Sequence, residues 1–223
     1  SADQIDKAIK DGLLKPCEGE IHIFIDAENR TITFEDNATG IKQSEVRPIL
    51  QNIAQSTKQR GVDKGFRGIG RLGGLAYCEN LIFETSFSGE KTKSRLTWDA
   101  ANLKDIINNR RDKEEAISVI KKVTSFEVFE EKQDAHYFKV ILQEVTNDDL
   151  LDKKEIEKYL SMVAPLPFPT RFIYKSLIYK DVEENNFTLD EYKIFLNTEQ
   201  LFKGYSTLIY KGDENDKEKE DEI

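Results

Sequence analysis

Two stretches of this chain combine residue types that can hold a nucleotide. Asp36-Asn37-Ala38-Thr39-Gly40 places a carboxylate ahead of small residues and a glycine. A carboxylate at a strand end can accept a hydrogen bond from an adenine amino group. A small residue and a glycine after it let a flat ring lie against the backbone. Alone, the stretch reads equally well as a plain Asp-Asn turn. The second stretch is Lys64-Gly65-Phe66-Arg67-Gly68-Ile69-Gly70-Arg71-Leu72-Gly73-Gly74, with five of the chain's twelve glycines within ten residues. Glycines leading into a helix expose backbone N–H groups, and a helix N-terminus attracts anions. The plain alternative is a tight helix–loop junction with no ligand. Thr85-Ser86 follows downstream.

Gly68 to Gly73 spells G-x-G-x-x-G, but a dinucleotide fingerprint needs a buried strand directly before it. A polar segment, Gln55 to Asp63, precedes it here. No Gly-Lys-Ser/Thr follows, so it is not a P-loop. No hairpin surrounds it, as a kinase glycine loop would require. What survives is the anion-binding chemistry without any of these three contexts.

Composition narrows the classes further. The 223 residues suit one full domain plus part of a second. The net charge is −9, and Lys211 to Ile223 supplies −4 of it from seven acids and three lysines. No basic field suited to nucleic acid exists, and Asn108-Asn109-Arg110-Arg111 reads as a solvated loop. No apolar run approaches the roughly 18–20 residues of a membrane span, and no signal segment opens the sequence. Cys17 and Cys78 lack CxxC spacing, which points to a reducing, cytoplasmic setting and away from a zinc site. His22 and His136 are too isolated to suggest a metal.

The periodicities give the elements that must position these residues. Apolar residues at 2, 5, 8 and 9 predict a helix closed by Gly12. Glu20 to Asp26 and Thr31 to Glu35 predict a hairpin, which puts Asp36 at a strand end. Ser44 is expected to cap a helix through Ile53. A short helix is expected to start inside the glycines, through Leu72, Leu75 and Ala76. Strands are expected at 80–87, 92–99, 123–129 and 137–145, with a short helix around Leu103 to Ile107 and a charged surface connection after it. Asp152 to Leu160 is a capped helix. Pro165, Pro167 and Pro169 mark a boundary, with strand-like pieces beyond it in 171–180 and 191–210. Early helices and recurring hairpins indicate an α+β two-layer sandwich.

Asp36, Ala38, Thr39 and Gly40 match an Asp-x-Gly-x-Gly box with Ala38 in place of the first glycine, and Gly65, Gly68 and Gly70 match a second glycine box after a lid. In this order the motifs resemble the GHKL superfamily of gyrase, the ninety-kilodalton heat-shock chaperone, histidine kinases and MutL, over about residues 1–145. The chaperone-like and MutL-like branches are the nearest in pattern. The resemblance implies a Bergerat fold and an ATP/ADP site with Mg2+. It implies nucleotide contacts from Asp36, Ala38, Gly40, Ile41, Lys58, Lys64, Gly65, Phe66, Arg67, Gly68, Ile69, Gly70 and Thr85. Asp36 would select adenine with support from Thr85, and the glycine amides would hold phosphates under a lid at about 54–64. Ser1 to Lys7 resembles the end of the motif that carries the magnesium-binding Asn and the water-activating Glu, which would both precede Ser1.

The domains expected are an ATP-binding domain at 1–148, a connecting helix and proline boundary at 149–169, the start of a second domain at 170–210 and an acidic disordered tail at 211–223. The function expected is that of a chaperone-like ATPase whose lid closure accompanies slow hydrolysis in the full-length protein. A non-hydrolysing regulatory module and a histidine-kinase catalytic domain are the alternatives. A protein client and a homodimer are the partners implied.

Overall fold

The computed structural model describes residues 2–15, 18–51, 70–109 and 115–205. Helix α1, Ala2–Lys10, buries Ile5 and Ala8. Gly12, at φ +75°, turns the chain so that the Leu13 and Leu14 N–H groups return to the Ala8 carbonyl. Only a residue tolerant of positive φ closes a helix this way at little cost. Strands β1, Glu20–Asp26, and β2, Thr31–Asp36, form the expected hairpin. The Asp26 carboxylate accepts the Asn29 N–H in its turn.

Helix α2, Gln43–Leu50, starts two residues after Ile41. Ser44 lies inside it and does not cap it. The free Gln43 N–H donates to the Glu90 carboxylate at 3.0 Å, so a distant loop supplies the cap. Gly70–Ala76 is a 3-10 turn, tighter than the helix its apolar spacing suggests. Strands β3, Asn80–Ser86, and β4, Thr92–Asp99, follow. Asp99 then caps α3, Ala100–Asn108, by accepting the Asn102 N–H. Part of the expected surface connection is helix α4, Ala116–Val123, which runs directly into β5, Thr124–Glu130. Strand β6 is Tyr137–Gln143. Asp152 caps α5, Lys153–Val163, as its position before Lys154 and Glu155 suggests.

The region after the prolines departs most from expectation. Residues 171–180 contain a helix and no strand: α6 is Lys175–Glu184. Its β-branched and aromatic residues favour strands, yet Tyr174, Leu177 and Ile178 also have helical spacing, and context decided between the two. Strands β7, Lys193–Leu196, and β8, Glu199–Gln200, turn at Asn197, at φ +54°.

The sheet order is β5-β4-β3-β6-β2-β1-β7-β8. Every neighbouring pair is antiparallel except β1 with β7. Strand β7 therefore extends the same sheet. Leu166, Ile194, Leu196 and Leu201 sit in one core cluster with Ile23, Leu81 and Trp98. The Asn197 side chain stitches the join by accepting the Ile25 N–H at 2.8 Å. Two parallel strands need a long crossover, and residues 27–192 form it.

Cross-strand partners share a face of a sheet, so the registers define rows. On the helix-covered face, Ile32, Leu142, Leu81 and Trp98 form one row and Val140, Phe83 and Leu96 lie in the next. Helices α2, α3 and α4 pack against β4, β3 and β5. On the opposite face, Glu35, Lys139, Glu84, Arg95 and Glu127 form a row of alternating charge, with His22 at its end. Arg95 meets Glu84 at 2.7 Å and Lys139 meets Glu35 at 3.2 Å within it. Charge alternation on this face keeps it soluble while each strand still finds a partner.

Because β7 shares the core, Leu196→Ala, at a position with no exposure, is expected to cost about 2–4 kcal/mol. Urea unfolding followed by Trp98 fluorescence should show one shifted transition. Two separate transitions, with the one reporting on Trp98 unmoved, would contradict a common core.

Candidate functional site

The covered face changes character at one end. Two rows beyond Ile32, Leu142, Leu81 and Trp98, the register aligns Asp36, Phe138, Thr85 and Ser94. Asp36, Thr85 and Ser94 are only 4%, 1% and 2% exposed. Buried polar side chains are costly unless bonded, and three along one row mark a place built for something other than packing.

Asp36 ends β2, where the sheet stops and the chain turns. Its Oδ1 accepts the Ala38 N–H at 3.1 Å. Burial pushes its pKa from 3.8 up to about 6, and the Ala38 N–H offsets part of that rise. Asn37 ties the same turn to β1: its side-chain oxygen accepts the Glu20 N–H at 2.9 Å, and its amide donates to the Glu18 carbonyl at 2.9 Å.

Thr85 stands on β3, with Phe138 of β6 between it and Asp36. Its hydroxyl accepts the Ile41 N–H at 2.9 Å and donates to the Tyr137 carbonyl at 2.8 Å. Thr85 therefore fixes the backbone after Asp36 and does not touch the carboxylate. The strand neighbours of Asp36 are Ile21 on β1 and Phe138 on β6, and the Phe138 ring stacks on Phe83 with centroids 6.0 Å apart. Alternation within β6 gave the face of Phe138, but only the register placed it beside Asp36.

Gly40 has a different use from the one its sequence context suggests. At φ +66°, a Cβ there would lie 1.8 Å from the Ser86 carbonyl oxygen and 2.9 Å from that of Tyr137. Its missing side chain serves a backbone-to-backbone approach within the protein. Ala38 and Ile41 are buried on either side of it. Ala38 also receives a contact that the sequence did not signal: its carbonyl lies 2.8 Å from His136 Nδ1.

The phosphate end is a different case. Lys58, Lys64, Gly65, Phe66, Arg67, Gly68 and Ile69 lie outside the described residues. Gly70 opens the 3-10 turn, and a Cβ there would meet nothing within 4 Å. The structure thus brings together Asp36, Ala38, Gly40, Ile41 and Thr85, the described residues expected at the adenine end. Three cavities of 660, 560 and 320 Å³ lined by described residues lie elsewhere, and none is lined by Asp36 or Thr85. Among the described residues, no three His, Cys, Asp or Glu side chains cluster in a way that would hold a metal. Nor is any described helix long and apolar enough to cross a membrane.

An eight-stranded sheet covered on one face by α2, α3 and α4 thus carries a buried Asp at the end of an inner strand. The chain belongs to the histidine kinase-, DNA gyrase B- and HSP90-like ATPase family, whose profile matches residues 14–149. It is 28% identical over 116 residues to the chaperone protein HtpG of Psychrobacter cryohalolentis, covering 44% of this chain and 17% of that protein. Its fold is similar to the ATPase and transducer domains of DNA topoisomerase II from Balamuthia mandrillaris, with a TM-score of 0.51 and 14% identity over 91% of this chain and 46% of that one. The chain thus spans under a fifth of the chaperone and under half of the topoisomerase chain.

Two outcomes follow from this geometry. Burial raises the Asp36 pKa above its unfolded value, so the associated stability is present below about pH 4 and is lost as pH rises through about 6. Asp36→Asn keeps the acceptor for Ala38 N–H and removes the buried charge. It should therefore stabilise the ligand-free domain at pH 7 by about 1–3 kcal/mol, with no gain at pH 4. Urea midpoints at the two pH values measure this. Gly40→Ala drives a methyl into the Ser86 carbonyl at positive φ, and is expected to cost more than about 3 kcal/mol. A melting temperature within 2–3 °C of the parent, well under the shift about 3 kcal/mol should give, would contradict the close approach.

Proposed function

We propose that this chain is the nucleotide-binding part of a chaperone-like ATPase. Asp36 accepts the adenine amino group, the segment from Ala38 to Ile41 holds the base edge, and Gly65 to Gly70 receive the phosphates. Lys58, Lys64 and Arg67 offset phosphate charge, and the lid at about 54–64 closes over the nucleotide. In the longer protein, closure accompanies slow magnesium-dependent hydrolysis, and lid movement sets the rate more than chemistry does. A protein client, a homodimer and a cytoplasmic setting belong to this reading.

One observation supports it above the others. The Asp36 carboxylate is buried, yet among the described residues it accepts a single hydrogen bond. An ionised carboxylate can accept several, and burial with so few is costly. An adenine amino group would supply one of the missing donors. The match to an ATPase family and the 28% identity to a chaperone agree with that chemistry. ATP itself supplies the phosphoanhydride bond to be cleaved. Magnesium belongs to this reading as the counter-ion of the phosphates.

The test is calorimetric titration with ATP and ADP. Asp36→Ala should abolish measurable binding of both, and unchanged affinity would sink the assignment. Wild-type affinity should hold near pH 7 and fall as pH drops through about 6, where the carboxylate takes up a proton. A flat profile between pH 5 and 8 would show that an ionised Asp36 is not the acceptor.

A further inference from the structure

We propose that His136 is a positioning residue for this site, acting through Ala38 on the Asp36 carboxylate and so on the choice of base. This rests on the ATP-site reading above. The Ala38 carbonyl can only accept, so the imidazole nitrogen 2.8 Å from it must carry the proton. The Ala38 N–H, in turn, donates to Asp36 Oδ1. Ala38 is thereby bonded on both sides, to the imidazole through its carbonyl and to the carboxylate through its amide. That arrangement fixes one oxygen of Asp36 and leaves the other for a ligand.

The neighbours of His136 hold the same segment. The Tyr137 carbonyl accepts the Thr85 hydroxyl that receives Ile41, and it lies beside Gly40. Phe138 pairs with Asp36. Three consecutive residues of one strand end thus meet the turn from Asp36 to Ile41 at successive points. The backbone leading into His136 is itself tied down, because Ser86 Oγ donates to the Ala135 carbonyl at 3.1 Å and Gly89 N–H donates to the Gln133 carbonyl at 2.8 Å. Binding of adenine over guanine depends on which groups a fixed acceptor meets, because a misplaced acceptor leaves buried polar atoms unpaired. Freeing Ala38 lets the carboxylate rotate and blunts that discrimination.

The experiment titrates ADP and GDP into the parent chain, His136→Leu, His136→Asn and Asp36→Ala. Losing one hydrogen bond that orders a binding group should weaken ADP about 5–10-fold in His136→Leu, with the preference for ADP over GDP narrowing by a similar factor. His136→Asn keeps a donor close to the Nδ1 position and should restore ADP affinity to within about threefold of the parent. Unchanged ADP affinity and base preference in His136→Leu would overturn the proposal, as would an Asn variant no better than Leu. Parent-like binding by Asp36→Ala would instead overturn the site reading itself. If His136→Leu fails to fold, nitrogen-15 spectra of the parent decide. A protonated Nδ1 slow to exchange supports the bond, and an unprotonated Nδ1 refutes it.

Discussion

The site depends on one close approach. The backbone at Gly40 passes so near the Ser86 carbonyl that no side chain fits between them. This contact lets the turn after Asp36 fold back over the ends of β3 and β6. Every other bond to the turn then becomes possible: Thr85 to Ile41, His136 to Ala38, and Ala38 to Asp36. Without it, the carboxylate would end a strand in solvent, where its burial and its single accepted bond would not arise.

The two faces of the sheet handle charge in opposite ways. On the open face, each charge meets an opposite one across a strand, and water finishes the solvation of most of them. On the covered face, Asp36 is buried with no ion pair among the described residues, and burial raises its pKa. The same sheet thus carries a stabilising charge pattern and a destabilising one. A buried carboxylate with a raised pKa is a candidate functional group on energetic grounds.

Much of the architecture was legible in the sequence. Alternation at Ile21, Ile23 and Ile25 and at Ile32 and Phe34 gave the first hairpin, and the Asp152 cap gave α5. Other features were decided elsewhere. The cap of α2 comes from Glu90, a residue 47 positions away, so Ser44 was the wrong candidate for a reason invisible locally. The α6 residues suit strand and helix alike, and α6 became a helix. The prolines at 165–169 interrupt local structure without ending the core, because the chain after them returns to pair with β1.

By itself, the sequence determined the motif order and the strand end that carries Asp36, because these depend on local periodicity, whereas the need for a glycine at position 40 comes from the Ser86 carbonyl that the fold brings against it. Only the tertiary structure decided what those residues touch. It gave Thr85 to the backbone of Ile41, 44 positions away, set Phe138 beside Asp36 and brought His136 to Ala38, 98 positions away, since the register links residues that no local pattern can pair.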